Sequence, residues 1–306
     1  MYDGSECFNN PEQGEKYMES PAIIFPHLGI SIPDFPNSIS IFGLDIAFYG
    51  IIIACAVFIC VMLCVHRAGQ TGQRKEDYFD LAIIGVIAAI IGARLYYVIF
   101  NLDYYIAHPA EIIHIRNGGL AIYGGIIGGF LAGYITCKIK KLSYLQVLDT
   151  VVPTIALGQA IGRWGNFFNR EAFGDYTDSL FAMQIKLSDV TGVVTDNIRE
   201  HIVNINGTDY IQVHPTFLYE SCWCLILFIL IVIFRKYQQY NGEVLLWYLG
   251  GYGLERFFVE GLRTDSLMIG NTGIAVSQLL SAVLVIGSLI VLIIMRVRIH
   301  KCKRAL

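Results

Sequence analysis

Apolar side chains fall into seven runs along the chain, at about 43–65, 80–100, 118–137, 145–162, 214–234, 243–261 and 273–295. Most reach the roughly 20 residues an α-helix needs to cross the hydrocarbon of a bilayer. The fourth is the weakest, because Asp149 and Pro153 interrupt it. The pattern predicts an all-α polytopic membrane protein with seven transmembrane helices. The one long connection is 163–213, between the fourth and fifth runs. Within it, "HIVNINGTDYIQV" sets two β-like runs around Asn206-Gly207, a dipeptide suited to the positive φ angles of a tight hairpin. The expectation is a small head carrying a β-hairpin, inserted in one domain and not separate from it. The organisation is then a tail over 1–42, a seven-span domain over 43–295 and a basic end over 296–306.

Composition fits this reading: 55% of residues are hydrophobic and 15% charged, where a soluble domain has about 25% charged. Lys and Arg set orientation. With the N-terminus outside, the inner segments hold Arg67, Arg74, Lys75, Lys138, Lys140, Lys141, Arg235, Lys236 and the basic end. The outer segments hold Lys16, Arg116, Arg163, Arg170, Lys186, Arg199 and Arg263, spread over far more residues. That asymmetry predicts N-out and C-in. The first forty residues lack the basic start and apolar core of a cleavable signal. Their prolines (Pro21, Pro26, Pro33, Pro36) argue against a long helix, so the first span is expected to direct membrane insertion.

Several chemistries lack support. No Lys/Arg cluster interleaved with aromatics points to nucleic acid. Of eight Cys, Cys55, Cys60, Cys64, Cys222 and Cys224 sit in apolar runs, and none of the eight has zinc spacing. The seven His form no HExxH-type pair, and neither a P-loop nor a G-x-S-x-G elbow occurs. No metal or soluble cofactor is implied.

Charge at membrane depth is costly and usually faces a cavity where it does work. Here it gathers at the outer ends of runs. "GARLYYVIFN" carries Arg94; "GRWGNFFNREAFG" carries Arg163, Asn166, Asn169 and Glu171; "GGYGLERFFVEGLR" carries Glu255, Arg256, Glu260 and Arg263. If that last stretch is helical, Arg256, Glu260 and Arg263 share one face at i, i+4 and i+7. A single arginine near a span end is commonly an interfacial anchor. Three arginine groups at one level suit a phosphate, which the guanidinium fork grips bidentately, and the ligand would be a phospholipid headgroup. "NGGLAIYGGIIGGFLAGY" repeats Gly at small-xxx-small spacing (Gly124, Gly128; Gly125, Gly129, Gly133), which serves close helix approach. At this point a lipid-processing enzyme and a non-catalytic transporter or phospholipid-binding protein both remain open. Against a transporter, no inverted repeat or pair of broken helices is visible.

Taken together, "FYGIIIA" (48–54), "GARLYYVIFN" (92–101), "NGGLAIYGG" (117–125), "GRWGNFFNREAFG" (162–174), "HPTFLYE" (214–220) and "GYGLERFFVEGLR" (251–263) resemble bacterial prolipoprotein diacylglyceryl transferases, in order over about residues 40–295. The resemblance implies transfer of the diacylglyceryl group of phosphatidylglycerol to the lipobox cysteine of a prolipoprotein signal peptide. A thioether forms and glycerol 1-phosphate leaves, at the outer face of the cytoplasmic membrane. It further implies that Arg163 binds the lipid phosphate. Asn166, Glu171 and Gly174 complete the signature, and Tyr49, Tyr252, Arg256, Glu260 and Arg263 match other functional positions. Arg94 joins the expected lipid-facing set. At Tyr123 many members of that family carry His, proposed as the base, so Tyr123 is a candidate catalytic group here.

Overall fold

The computed structural model describes residues 20–115, 118–270 and 272–305. Cys7, Lys16, Arg116 and residues 1–19 of the expected 1–42 tail lie outside the described residues. The chain is mostly helical: α1 (Phe48–Gln70), α2 (Lys75–Phe100), the short α3 (Leu102–Ala107), α4 (Ile122–Lys140), α5 (Tyr144–Asn169), the short α6 (Asp196–Glu200), α7 (Thr216–Phe234), α8 (Glu243–Glu260) and α9 (Val276–Ala305). Six of these, α1, α2, α4, α5, α7 and α9, are long and apolar enough to cross a membrane. Their Ile, Leu, Val and Phe side chains stay largely exposed. In water such a surface would aggregate; in lipid it is already solvated, so the chain is a polytopic membrane protein. Helix α8 fills the remaining run, but its 18 residues include Glu243, Glu255, Arg256 and Glu260, and it is not one of the six.

Packing follows the small residues. The α2–α4 pair is the tightest, with Gly92 of α2 facing Gly124 and Gly128 of α4 so closely that a Cβ on any of them would run into the opposing backbone. Helices α1, α5, α7 and α8 form the rest of the bundle, and α9 lies along α8. Helix α5 runs through the signature to Asn169 and stops at Arg170, whose φ of 53° closes the helix in left-handed geometry. The motif is therefore mostly the last two turns of a helix and not a loop. The segment expected as a basic end, 296–306, continues α9 as helix to Ala305.

Above one end of the bundle sits a small β head. Its strands are β1 (Ile23–Phe25), β2 (Ile30–Ile32), β5 (Met183–Lys186), β6 (Val203–Ile205) and β7 (Thr208–Val213), in the order β2-β1-β5-β7-β6 with every pair antiparallel. A separate hairpin joins β3 (Ser38–Ile41) and β4 (Leu44–Ala47). Strands β6 and β7 turn at Asn206 (φ 51°) and Gly207 (φ 82°), the primed geometry of a two-residue hairpin. The head core packs Ile23, Ile185, Ile211 and Val213 onto Phe167 of α5 and Phe217 of α7. Thus the N-terminal segment is part of the same sheet as 163–213. Arg170 locks it there: its guanidinium donates to Asn37 Oδ1 (2.7 Å), Phe35 O (3.1 Å) and Asp34 Oδ1 (3.1 Å) and lies over the Phe35 ring.

Candidate functional site

Below the head, the outermost turns of α5, α7 and α8 meet around Glu220. This residue lies on the second turn of α7 and is 1% exposed. A carboxylate with so little water must find cations, and three reach it. Arg163 of α5 pairs closely with Glu220 Oε2 through Nη2. Arg256 of α8 stands 3.4 Å from the same oxygen, and Arg263 stands 3.6 Å from Oε1. Arg256 also pairs with Glu260 one turn on, and Arg263 grips Asp265 with two bonds, Nε to Oδ1 at 2.9 Å and Nη2 to Oδ2 at 2.7 Å. Those bonds from Arg263 hold the Asp265 carboxyl below the usual carboxylate range. The three arginine side chains keep 19%, 20% and 12% of their surface, so a ligand can still touch them.

Arg263 corrects one expectation. Helix α8 ends at Glu260, and the chain turns through Gly261 and Leu262, with Arg263 N donating to Glu260 O. Arg263 is therefore off the helix and not at i+7 of a shared face. It reaches the same carboxylate because the turn is stitched to the signature: Gly174 and Arg263 form a β-bridge, and Asp175 N donates to Leu262 O at 2.9 Å. Gly174 sits so tightly that a Cβ would lie 2.8 Å from His214 Cβ and 2.9 Å from Leu262 O. Its contribution is this close approach of chains, since it has no side chain to offer a ligand.

The rest of the signature forms a second polar knot. Glu171 Oε1 accepts from Asn166 Nδ2 (3.0 Å) and Asn169 Nδ2 (3.2 Å). Asn166 stands one turn from Arg163 on α5. Tyr49, on the first turn of α1, lays its ring against Gly165, between Arg163 and Asn166 in sequence, where any side chain would collide with it. Tyr252 stands one turn before Arg256 on α8 and stacks on Tyr248 with ring centroids 5.6 Å apart.

Two expected members lie elsewhere. Arg94 of α2 is 8% exposed and spends its guanidinium on backbone carbonyls: Nε to Ile112 (2.8 Å), Nη1 to Gly118 (3.0 Å) and Gly119 (2.9 Å), Nη2 to Glu111 (2.6 Å). It folds the connection between α3 and α4 and has no donor directed at the Glu220 cluster. Tyr123, on the first turn of α4, is 46% exposed and makes no hydrogen bond among the described residues.

Two buried acids, Glu220 and Glu255, join the site although the sequence assigns neither of them a role. Glu255 is 3% exposed, and neither carboxylate oxygen has a hydrogen-bond partner among the described residues. The signal for Glu220 was present, an acid inside the apolar run after "HPTFLY", but its partners come from distant segments. Among the described residues no group of His, Cys, Asp and Glu is arranged to hold a metal ion. What the cluster offers is three partly exposed guanidinium groups ordered by buried carboxylates, which suits a phosphate ester.

A family model described as prolipoprotein diacylglyceryl transferase matches residues 36–294. The chain is 42% identical over 251 residues to a phosphatidylglycerol–prolipoprotein diacylglyceryl transferase of Clostridioides difficile (strain 630), covering 82% of this chain and 91% of that protein. A protein of the same name from Finegoldia magna is 44% identical over 252 residues, covering 82% and 92%. Another, from Enterococcus faecalis, is 43% identical over 264 residues, covering 85% and 91%.

Proposed function

The chain belongs to the prolipoprotein diacylglyceryl transferase family, and from that premise we propose that it moves the diacylglyceryl group of phosphatidylglycerol onto the lipobox cysteine of prolipoproteins. The observation that carries the mechanism is the gathering of Arg163, Arg256 and Arg263 around buried Glu220. The cysteine sulfur forms a bond to the sn-3 carbon of the glyceryl unit, and the bond from that carbon to the phosphate oxygen breaks. Glycerol 1-phosphate departs, and the thiol proton ends on its phosphate dianion or in solvent. Negative charge grows on the leaving phosphate. Guanidinium groups fixed before the reaction stabilise that charge without reorganising, which is where an enzyme of this kind gains most of its rate. The same positive field favours the thiolate, the reactive form of the nucleophile.

Arg163 and Arg256 are the phosphate-contacting residues in this reading, and Glu260, Glu220 and Asp265 hold the guanidinium groups in place. Asn166 and Glu171 orient the headgroup, with Tyr49 and Tyr252 forming its walls. Arg94 supports the connection in front of α4 and acts on substrate only through that connection. Tyr123 contacts the incoming peptide or lipid by a hydrogen bond. Helix α8 is the seventh span, tolerated in lipid because its charged residues face the bundle. The N-terminus and the β head lie outside and the C-terminus inside the bacterial cytoplasmic membrane, following the Lys/Arg asymmetry. The catalytic level is then the outer leaflet, where lipobox signal peptides present their cysteine. The test is a reconstituted reaction of the purified protein with phosphatidylglycerol and a synthetic lipobox peptide, read by mass as thioether peptide and by enzymatic assay as glycerol 1-phosphate. Product under conditions where a Cys→Ser peptide gives none is the expected result. No thioether from folded, lipid-reconstituted protein would refute the reading.

A further inference from the structure

At the opposite end of the bundle a second basic site is built from residues the reaction does not use. Gln146 on the first turn of α5 and Arg163 near its far end are separated by 17 residues, about 25 Å of helix. Around Gln146 the C-terminal ends of α1 and α7 and the N-terminal ends of α5 and α8 enclose a polar cavity of about 250 Å³. Arg67 and Arg235 both line it. Both are half-buried, and neither has a carboxylate partner among the described residues. The acid in the cavity wall, Asp149, is already committed: it accepts from Gln238 Nε2 (2.6 Å), Gly242 N (2.6 Å) and Leu245 N (3.0 Å). The nearby Glu243 is fully buried and paired with Arg296 at 2.6 Å. Two guanidinium groups are thus brought to one cavity whose single carboxylate, Asp149, is held by neutral donors and forms an ion pair with neither. With two positive groups to one negative, the cavity carries a net positive charge that favours an external anion.

Beside the cavity lies a groove of about 1,010 Å³, and Gln238 and Gln239 line both. One side of that groove is apolar, formed by Leu230, Ile231 and Phe234 of α7 and Trp247 of α8. Lys236 and Lys303 stand at its polar end. A basic pocket adjoining a partly apolar groove matches one kind of molecule: an amphiphile with an anionic head and long chains. From this complementarity we infer that the inner end of the bundle holds an anionic phospholipid, its phosphate between Arg67 and Arg235 and an acyl chain along α7. This is a binding site for membrane lipid as ligand, separate from the donor site around Glu220. Basic pockets between helices on the inner side of a membrane suit such headgroups.

The test is native mass spectrometry of delipidated protein in neutral detergent, titrated with dioleoyl phosphatidic acid and with dioleoyl phosphatidylcholine. The two share their chains, so any preference reports the headgroup. Wild type is expected to retain phosphatidic acid at least tenfold more strongly than phosphatidylcholine. On an Arg163→Gln background, which disables the donor site's own grip on phosphate, a preference is expected to remain, Arg67→Gln/Arg235→Gln to abolish it, and each single variant to weaken it. Should the double variant not fold, wild type is labelled with a phosphatidic acid carrying a photoreactive group near the head. Crosslinks in peptides from the inner ends of α1 and α7 support the site, and crosslinks confined to the 163–174 region overturn it. Three other results also overturn it: an unchanged preference when the folded double variant is made on the Arg163→Gln background, complete loss of preference in Arg163→Gln alone, or displacement of the lipid by equimolar inorganic phosphate, which would make the site one for a free anion.

Discussion

Replacing Glu220 by Gln keeps the volume and one acceptor oxygen and removes the charge on which three arginines converge. The Arg256 and Arg263 nitrogens lie 3.4 Å and 3.6 Å from its oxygens and Arg163 lies closer still. At an effective dielectric of about 20, one unit pair near 3.5 Å is worth roughly 5 kcal/mol before desolvation is counted. The arginines keep some exposure, so the net figure is smaller. Breaking a buried pair by removing one partner costs about 3–5 kcal/mol, here distributed over stability and the geometry of the reacting state. If about 3–4 kcal/mol of it falls on the transition state, the rate drops roughly 10²- to 10³-fold. The direction in KM differs. Three arginines relieved of Glu220 attract a phosphate at least as strongly, so KM for phosphatidylglycerol is expected to hold or fall while kcat collapses. The assay is the initial rate of thioether formation against lipid mole fraction in nanodiscs, with folding checked by gel filtration. A Glu220→Gln enzyme with kcat within threefold of wild type, or with its whole defect in KM, would show that Glu220 does not position the arginines.

Arg163→Lys is expected to lose about ten- to a hundredfold in kcat/KM, since one charge-assisted hydrogen bond is worth roughly 1.5–3 kcal/mol and Lys cannot form the planar fork; near wild-type turnover would reduce Arg163 to an anchor. On a Cys-free background, an impermeant maleimide added to intact cells should label Ser188→Cys and not Gln238→Cys, and the reverse pattern would invert the orientation. Tyr123→Phe should slow thioether formation about tenfold, the loss of one hydrogen bond, with Tyr123→His retaining substantial activity; a loss of 10³-fold in folded Tyr123→Phe would instead make Tyr123 the base. Asp265 is held below the usual carboxylate range by Arg263, so its stabilising effect is present above the unfolded pKa of about 4 and is lost as pH falls through the lower folded value. Asp265→Asn should therefore melt below wild type at pH 7, with the gap closing under acid conditions; a gap constant from pH 7 to pH 3 would contradict the ion pair.

The apolar runs were legible because lipid imposes one requirement on every spanning segment, and that requirement is local. Helix ends were less so: α1 begins at Phe48 and α5 runs to Asn169, since helical hydrogen bonding continues past the apolar stretch until a left-handed residue such as Arg170 stops it. The arginines were found from cost alone. Their common partner was not, because Glu220 gains its meaning from three side chains on other segments. Arg94 looked like the others in sequence, yet the carbonyls that occupy it belong to a connection without periodicity. Strands β1 and β2 are three residues each, too short for alternation to speak, and β1 pairs with a strand more than 150 residues away.

That last pairing sets the order in which the molecule can be made. Among the described residues β1 precedes every helix, while its neighbour β5 begins at Met183, after α1, α2, α4 and α5. During synthesis β1 can pair at once with β2, but its other edge must wait for β5 until four helices have been threaded into the bilayer. Pairing across so long a stretch of chain is entropically slow. A ribosome stalled before residue 183 would leave Ile23 and Phe25 exposed, with Arg163 already in lipid and no Glu220 to meet it. Completion of the head and neutralisation of Arg163 therefore arrive together, late in translation, as α7 enters.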